Sequence, residues 1–89
     1  MKLMVVDVNR DETLIHEVLV NEGKHVALKR ISGHFNEQAR ELTLFVLKER
    51  PEKLIIEDVG IGKGLLDAVN KEMSSCGFKL KDDGTVVYG

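Results

Sequence analysis

Cysteine, proline and large aromatic residues are almost missing from this chain. It has one cysteine, Cys76, so it can form no intrachain disulfide and no cysteine-built metal centre. That usage suits a reducing compartment. There is no tryptophan, one tyrosine and three phenylalanines, so any core must be aliphatic. The one proline, Pro51, marks a single helix stop. Long apolar runs are missing too. The N-terminal run is broken by Asp7 and is too short for a signal segment or a membrane span. The chain therefore reads as cytoplasmic, with no membrane partner. An excess of positive charge is also lacking: 13 basic residues face 15 acidic ones, for a net charge of −2. This excludes holding nucleic acid by bulk charge, although it leaves room for a local basic face.

What is present fits one domain of 89 residues. A chain of this size buries roughly 60–65% of the surface it exposes unfolded, so self-association would be a ready source of further burial. Residues 2–8 read as a central strand, apolar almost throughout and covered on both faces. Residues 13–20 and 25–32 follow as strands joined at Gly23, which completes a three-stranded meander. The period then changes to helical from Phe35 or Asn36, with Asn36 as the N-cap and Pro51 as the stop. Phe35, Ala39, Leu42, Phe45 and Val46 lie on one stripe, and the side bearing Leu44 and Leu47 is apolar enough to suggest a partner. A fourth strand over residues 53–58 should run parallel to the first. A second helix over residues 63–76 ends at Gly77, with Cys76 as a small core residue. A strand over residues 78–81 follows, and Asp82-Asp83-Gly84 turns the chain into a short final strand over residues 85–88. The fold class is α/β, a mixed five-stranded sheet in the order β-β-β-α-β-α-β with a terminal hairpin.

The informative stretch is Ile56-Glu57-Asp58-Val59-Gly60-Ile61-Gly62-Lys63-Gly64. It reads as a strand end, two acids, a glycine-rich turn and a helix start. The meander places the first strand beside the fourth, about 4.8 Å away. Asp7 would then neighbour Glu57 or Asp58 at the carboxyl end of the sheet, where open α/β sheets bind ligands. Asp7 in an apolar strand would be costly without a metal, a partner or water. Glu57 and Asp58 face opposite ways, so only one meets Asp7. Converging carboxylates suit hard cations such as Mg²⁺ or Mn²⁺, which assist phosphodiester cleavage. The segment from Gly60 to Gly64 lacks the complete phosphate-loop pattern. It reads mainly as a tight turn, although amides at Gly60 and Gly62 can contact a backbone phosphate. Asp67 reads as a solvated acid. His16, His25 and His34 have no ligand spacing. Lys24, Lys29, Arg30 and Arg40 would make at most a modest basic area.

The element order, the Asp in Val5-Val6-Asp7-Val8, and the acid-x-x-Gly-x-Gly run from Glu57 with Asp67 beyond it resemble the ribonuclease H-like fold. Within that fold the chain is most similar to the nuclease domain of phage terminase large subunits, over residues 1–77. The resemblance implies Asp7 and Glu57 as metal-binding and catalytic residues, Mg²⁺ or Mn²⁺ as cofactor and DNA as substrate. It also implies a third carboxylate on a later helix. The sequence reaches Gly89 without one, and Asp82, Asp83 or a partner chain would have to stand in. The alternative expectation is a non-catalytic protein-interaction or dimerisation module of phage origin. A third, weaker one is a phosphate or nucleotide binder at Gly60 and Gly62.

Overall fold

The computed structural model of the protein describes residues 2–9, 12–19, 23–56 and 60–89. Strand β1 (Lys2–Val8) pairs antiparallel with β2 (Glu12–Leu19), and β2 pairs antiparallel with β3 (Lys24–Ser32). On its other edge β1 runs parallel to β4 (Lys53–Ile56). The sheet order is β3-β2-β1-β4, the meander with an inner first strand that the sequence predicts. Helix α1 (Phe35–Glu49) connects β3 to β4, and α2 (Ile61–Ser75) follows β4.

Alternation along the strands decides where the core lies. Met4, Val6 and Val8 of β1, Ile15 of β2, Ile31 of β3, and Leu54 and Ile56 of β4 are buried. They meet Ala39, Leu42 and Val46 of α1 and Leu65, Val69 and Met73 of α2 in one aliphatic cluster. Full burial of such a side chain contributes roughly 1.5–3 kcal/mol, so this layer dominates stability. The helices pack on each other and on the same side of the sheet. β1 is therefore covered on one face only among the described residues, not on both as its composition suggests. Leu3 and Val5 are partly exposed and Asp7 is exposed on the opposite face.

Local signals set the helix ends. His34 is the N-cap of α1, in an extended conformation and without a side-chain cap, so the predicted Asn36 cap moves two residues back. At the other end Arg50 takes φ 49° and donates its N–H to the Val46 carbonyl at 2.7 Å, and Pro51 then prevents continuation. α2 closes as foreseen at Gly77, whose φ is 84°. The Gly77 N–H reaches the Ser74 carbonyl and the Phe78 N–H reaches the Met73 carbonyl, at 3.2 and 3.1 Å. Phe78 is buried behind this turn, but Cys76 is exposed, not part of the core. Leu44, on the outer side of α1, is 59% exposed.

The five-stranded sheet is not what forms. β5 (Lys79–Leu80) pairs with β6 (Val86–Val87) as a separate two-stranded sheet. This hairpin joins the β4 edge through Leu54 N–H to the Gly84 carbonyl at 2.8 Å and Val86 N–H to the Glu52 carbonyl at 3.1 Å. The turn explains the difference. The Gly84 N–H bonds back to the Lys81 carbonyl, and Asp83 Oδ1 accepts the Thr85 N–H at 2.9 Å. The returning arm thus meets β4, bridging Lys53 to Thr85 in antiparallel sense. Tyr88 anchors the end of the hairpin. Its hydroxyl donates to the Pro51 carbonyl, its ring stacks 5.8 Å from that of Phe78, and the Arg50 guanidinium sits 4.1 Å over it.

Two polar ties complete the frame. Thr13 Oγ1 donates to Gln38 Oε1 at 2.6 Å, and Gln38 Nε2 donates to the Gly33 carbonyl at 2.9 Å, which fixes the start of α1 on β2. Lys2 Nζ lies 3.2 Å from Glu17 and 3.1 Å from Glu49, and also donates to the Glu49 carbonyl at 2.9 Å. Burial pulls the Lys2 pKa down, but hydrogen bonds to Glu49 and Glu17 and their charges outweigh it and raise the pKa above the ordinary 10.5. That contribution is complete below pH 10.5 and is lost as pH rises through the folded-state pKa. Burial also raises the Tyr88 hydroxyl, against the charges of Arg50 and Lys2, so ionising it at alkaline pH opposes folding as well. Lys2→Met should cost about 1–2 kcal/mol in urea unfolding near neutral pH, because two part-buried carboxylates lose their cation. The gap between the two proteins should close as pH rises through the raised folded-state pKa of Lys2, and a gap that persists beyond it would contradict this assignment.

Candidate functional site

The parallel register of β1 and β4 pairs Leu3 with Lys53, Met4 with Leu54, Val5 with Ile55 and Val6 with Ile56. The next residues in the two segments are Asp7 and Glu57. Asp7 stands on the open face of the sheet, across from Leu14 of β2. Its carboxylate is exposed, so the desolvation cost expected for an acid in an apolar strand does not arise. Alternation explains this: β1 buries its even-numbered residues, and Asp7 falls on the odd-numbered, uncovered side. Glu57 and Asp58 lie outside the described residues. Among the described residues no three His, Cys, Asp or Glu side chains gather as a metal-binding group.

The glycines after the acids have local reasons. Gly60 is the N-cap of α2 with φ 58° and ψ −133°, a conformation that disfavours side chains. Gly62 is buried in the first turn. A Cβ on Gly64 would come within 2.7 Å of Cε2 of Phe35, so the absence of a side chain lets the start of α1 seat its ring on α2. These are the tight turn and close approach that such a segment provides, and a bound phosphate is not needed to account for them.

The remaining candidates are dispersed. Asp67 and His34 are exposed. Lys29 and Arg30 are successive strand residues and do not share a face. Lys29 Nζ lies 5.3 Å over the Phe45 ring on the helix side, while Arg30 pairs with Glu12 at 3.4 Å. The modest basic area they were expected to form is therefore divided. Asp82 and Asp83 occupy the hairpin turn, and β4 stands between that hairpin and β1. The Thr85 backbone N–H holds the Asp83 carboxyl below its usual range, so this acid is engaged in the turn.

Two features escaped the sequence reading. One is a cleft of about 280 Å³ between β4, α2 and the hairpin, with Ile56, Leu66, Leu80, Asn70 and Asp82 among its walls. It depends on where the hairpin docks, which no local pattern specifies. The other is the Thr13–Gln38 pair, both members of which are completely buried. Gln38 does precede Ala39 on the inward side of α1, so its position in the helical period was the available signal. No family model, no curated protein and no solved structure matches this chain.

The Gly64 contact can be tested directly. Gly→Ala inside a helix normally gains about 1 kcal/mol. Here Gly64→Ala should instead destabilise the protein by about 1 kcal/mol in urea unfolding, because overpacking against Phe35 outweighs the propensity gain. In a Phe35→Ala background the same substitution should become stabilising.

Proposed function

We propose that the chain is a ribonuclease H-like domain of the terminase-nuclease type. In this reading it binds Mg²⁺ or Mn²⁺ through Asp7 and Glu57 and cleaves DNA phosphodiester bonds. The observation that supports it is the pairing of Val6 with Ile56 in parallel strands, after which the two segments continue with an acid each. The strand order and the helix between the meander and β4 agree with that architecture.

The chemistry follows from the donor set. Carboxylate oxygens are the ligands hard divalent cations prefer, and an exposed Asp7 is open to both ion and solvent. A bound ion would supply Lewis-acid polarisation of the phosphate and a more acidic water. Asp7 would orient that assembly from β1, and Glu57 from the segment following β4. Asp58, the next acid in the sequence, would be the reserve ligand. Two acids leave most coordination positions to water and phosphate oxygens, so the affinity for metal should be low. A bound DNA strand would run along the carboxyl end of the parallel pair, where open sheets take ligands.

A second reading is a non-catalytic interaction module. It is favoured by the open sheet face, where Leu3, Val5 and Ile55 are only partly covered. Plasmid nicking separates the two. The wild-type chain should nick supercoiled DNA in millimolar Mn²⁺, and Asp7→Asn and Glu57→Gln should each lower the rate by at least about 100-fold. Nicking by Asp7→Asn at the wild-type rate, or none by either protein, would remove the nuclease reading and leave the module.

A further inference from the structure

We infer that the open face of the sheet is a self-association surface, on which two copies stack face to face with their strands antiparallel. This inference needs no metal at Asp7. Its starting point is composition. An antiparallel sheet face turned to water normally carries polar residues. Here Leu3, Val5, Leu14, Val18 and Ile55 occupy that face, and Ile55 is 40% exposed. They are contiguous: Val5 lies across from Ile55 on one side and His16 on the other, and Leu3 lies across from Lys53 and Val18.

Charge selects the occupant and its orientation. Asp7 stands at the carboxyl end of this face, and Lys53 stands at the other end, across from Leu3. Glu12 and Arg30 pair with each other at the β2–β3 corner and bring no net charge. Among the described residues the face thus carries Leu3, Val5 and Ile55 between Asp7 at one end and Lys53 at the other, with His16 beside Val5. A second copy related by a two-fold axis along the Ile55–Val5–His16 row reverses the strands. It sets each Asp7 against the Lys53 end of its partner and stacks the aliphatic rows. A two-fold axis along the strands would instead bring both acidic ends together. Aligned stacking of two sheets about 10 Å apart is a standard packing, and it lets these long side chains meet.

The face also fixes the strength. Four strands of this length present on the order of 400 Å² per copy, which is at the weak end for specific association. The dimer should therefore be reversible and concentration-dependent.

Sedimentation velocity at pH 8 tests the inference. The wild-type chain should shift from monomer to dimer between about 10 µM and 0.5 mM at low salt. Ile55→Lys should raise the dissociation constant at least tenfold. Asp7→Lys and Lys53→Asp should each weaken association, and the double exchange should return it to within about threefold of wild type. Lys53 has no part in the metal reading, so its behaviour distinguishes this surface from the proposed site. Thermal melts establish that each variant is folded. A wild-type chain that stays monomeric at 0.5 mM would overturn the inference. So would a dimer indifferent to Ile55→Lys, or an exchange no better than its single variants.

Discussion

The structure depends on one pairing, the parallel contact of β1 with β4. Parallel neighbours cannot be joined by a tight turn, so a helix must cross over between β3 and β4, and α1 does so. That crossing commits α1 to one face of the sheet. α2 leaves β4 on the same side and packs against α1, with Phe35 seated where Gly64 has no side chain. The aliphatic cluster, the buried Thr13–Gln38 tie and the Lys2 ion pairs then hold the two layers together. The same pairing aligns Val6 with Ile56, and this register gives Asp7 its interest.

Placing both helices on one side leaves the other face of the sheet uncovered among the described residues. For a chain of 89 residues this is a large share of the burial it could gain. Among the described residues that face carries Leu3, Val5 and Ile55 between Asp7 and Lys53. Asp7 would therefore serve two proposed uses, as a strand-end metal ligand and as the charged rim of a partner surface. The first use needs solvent and phosphate at the carboxylate. The second places a partner over it.

Much of this was legible in the sequence where local chemistry decides. The meander, the α1 crossover, the Pro51 stop and the Gly77 closure follow from periodicity, proline and glycine, and all appear as expected. Where tertiary placement decides, the sequence was a poorer guide. The continuous apolar run of β1 implied two covered faces, yet Leu3 and Val5 face the uncovered side. Cys76 looked like core, yet it caps the end of α2 and is exposed. A fifth sheet strand became a hairpin because the Asp82-Asp83-Gly84 turn brings the returning arm to β4. The candidate site was legible only in half: Asp7 lies on the expected strand, which runs parallel to β4 as expected. Glu57 and Asp58 lie outside the described residues, so their role rests on spacing and on the β1–β4 register.

The central claim is that Asp7 and Glu57 share a divalent cation. Paramagnetic broadening by Mn²⁺ in an amide NMR spectrum tests it most directly, because broadening falls steeply with distance from the ion. At substoichiometric Mn²⁺, the signals of Asp7, Val8 and residues 57–58 should vanish first, and Asp7→Asn should restore them. Broadening centred on Asp82 and Asp83, or spread evenly over exposed acids such as Asp67, would contradict the account.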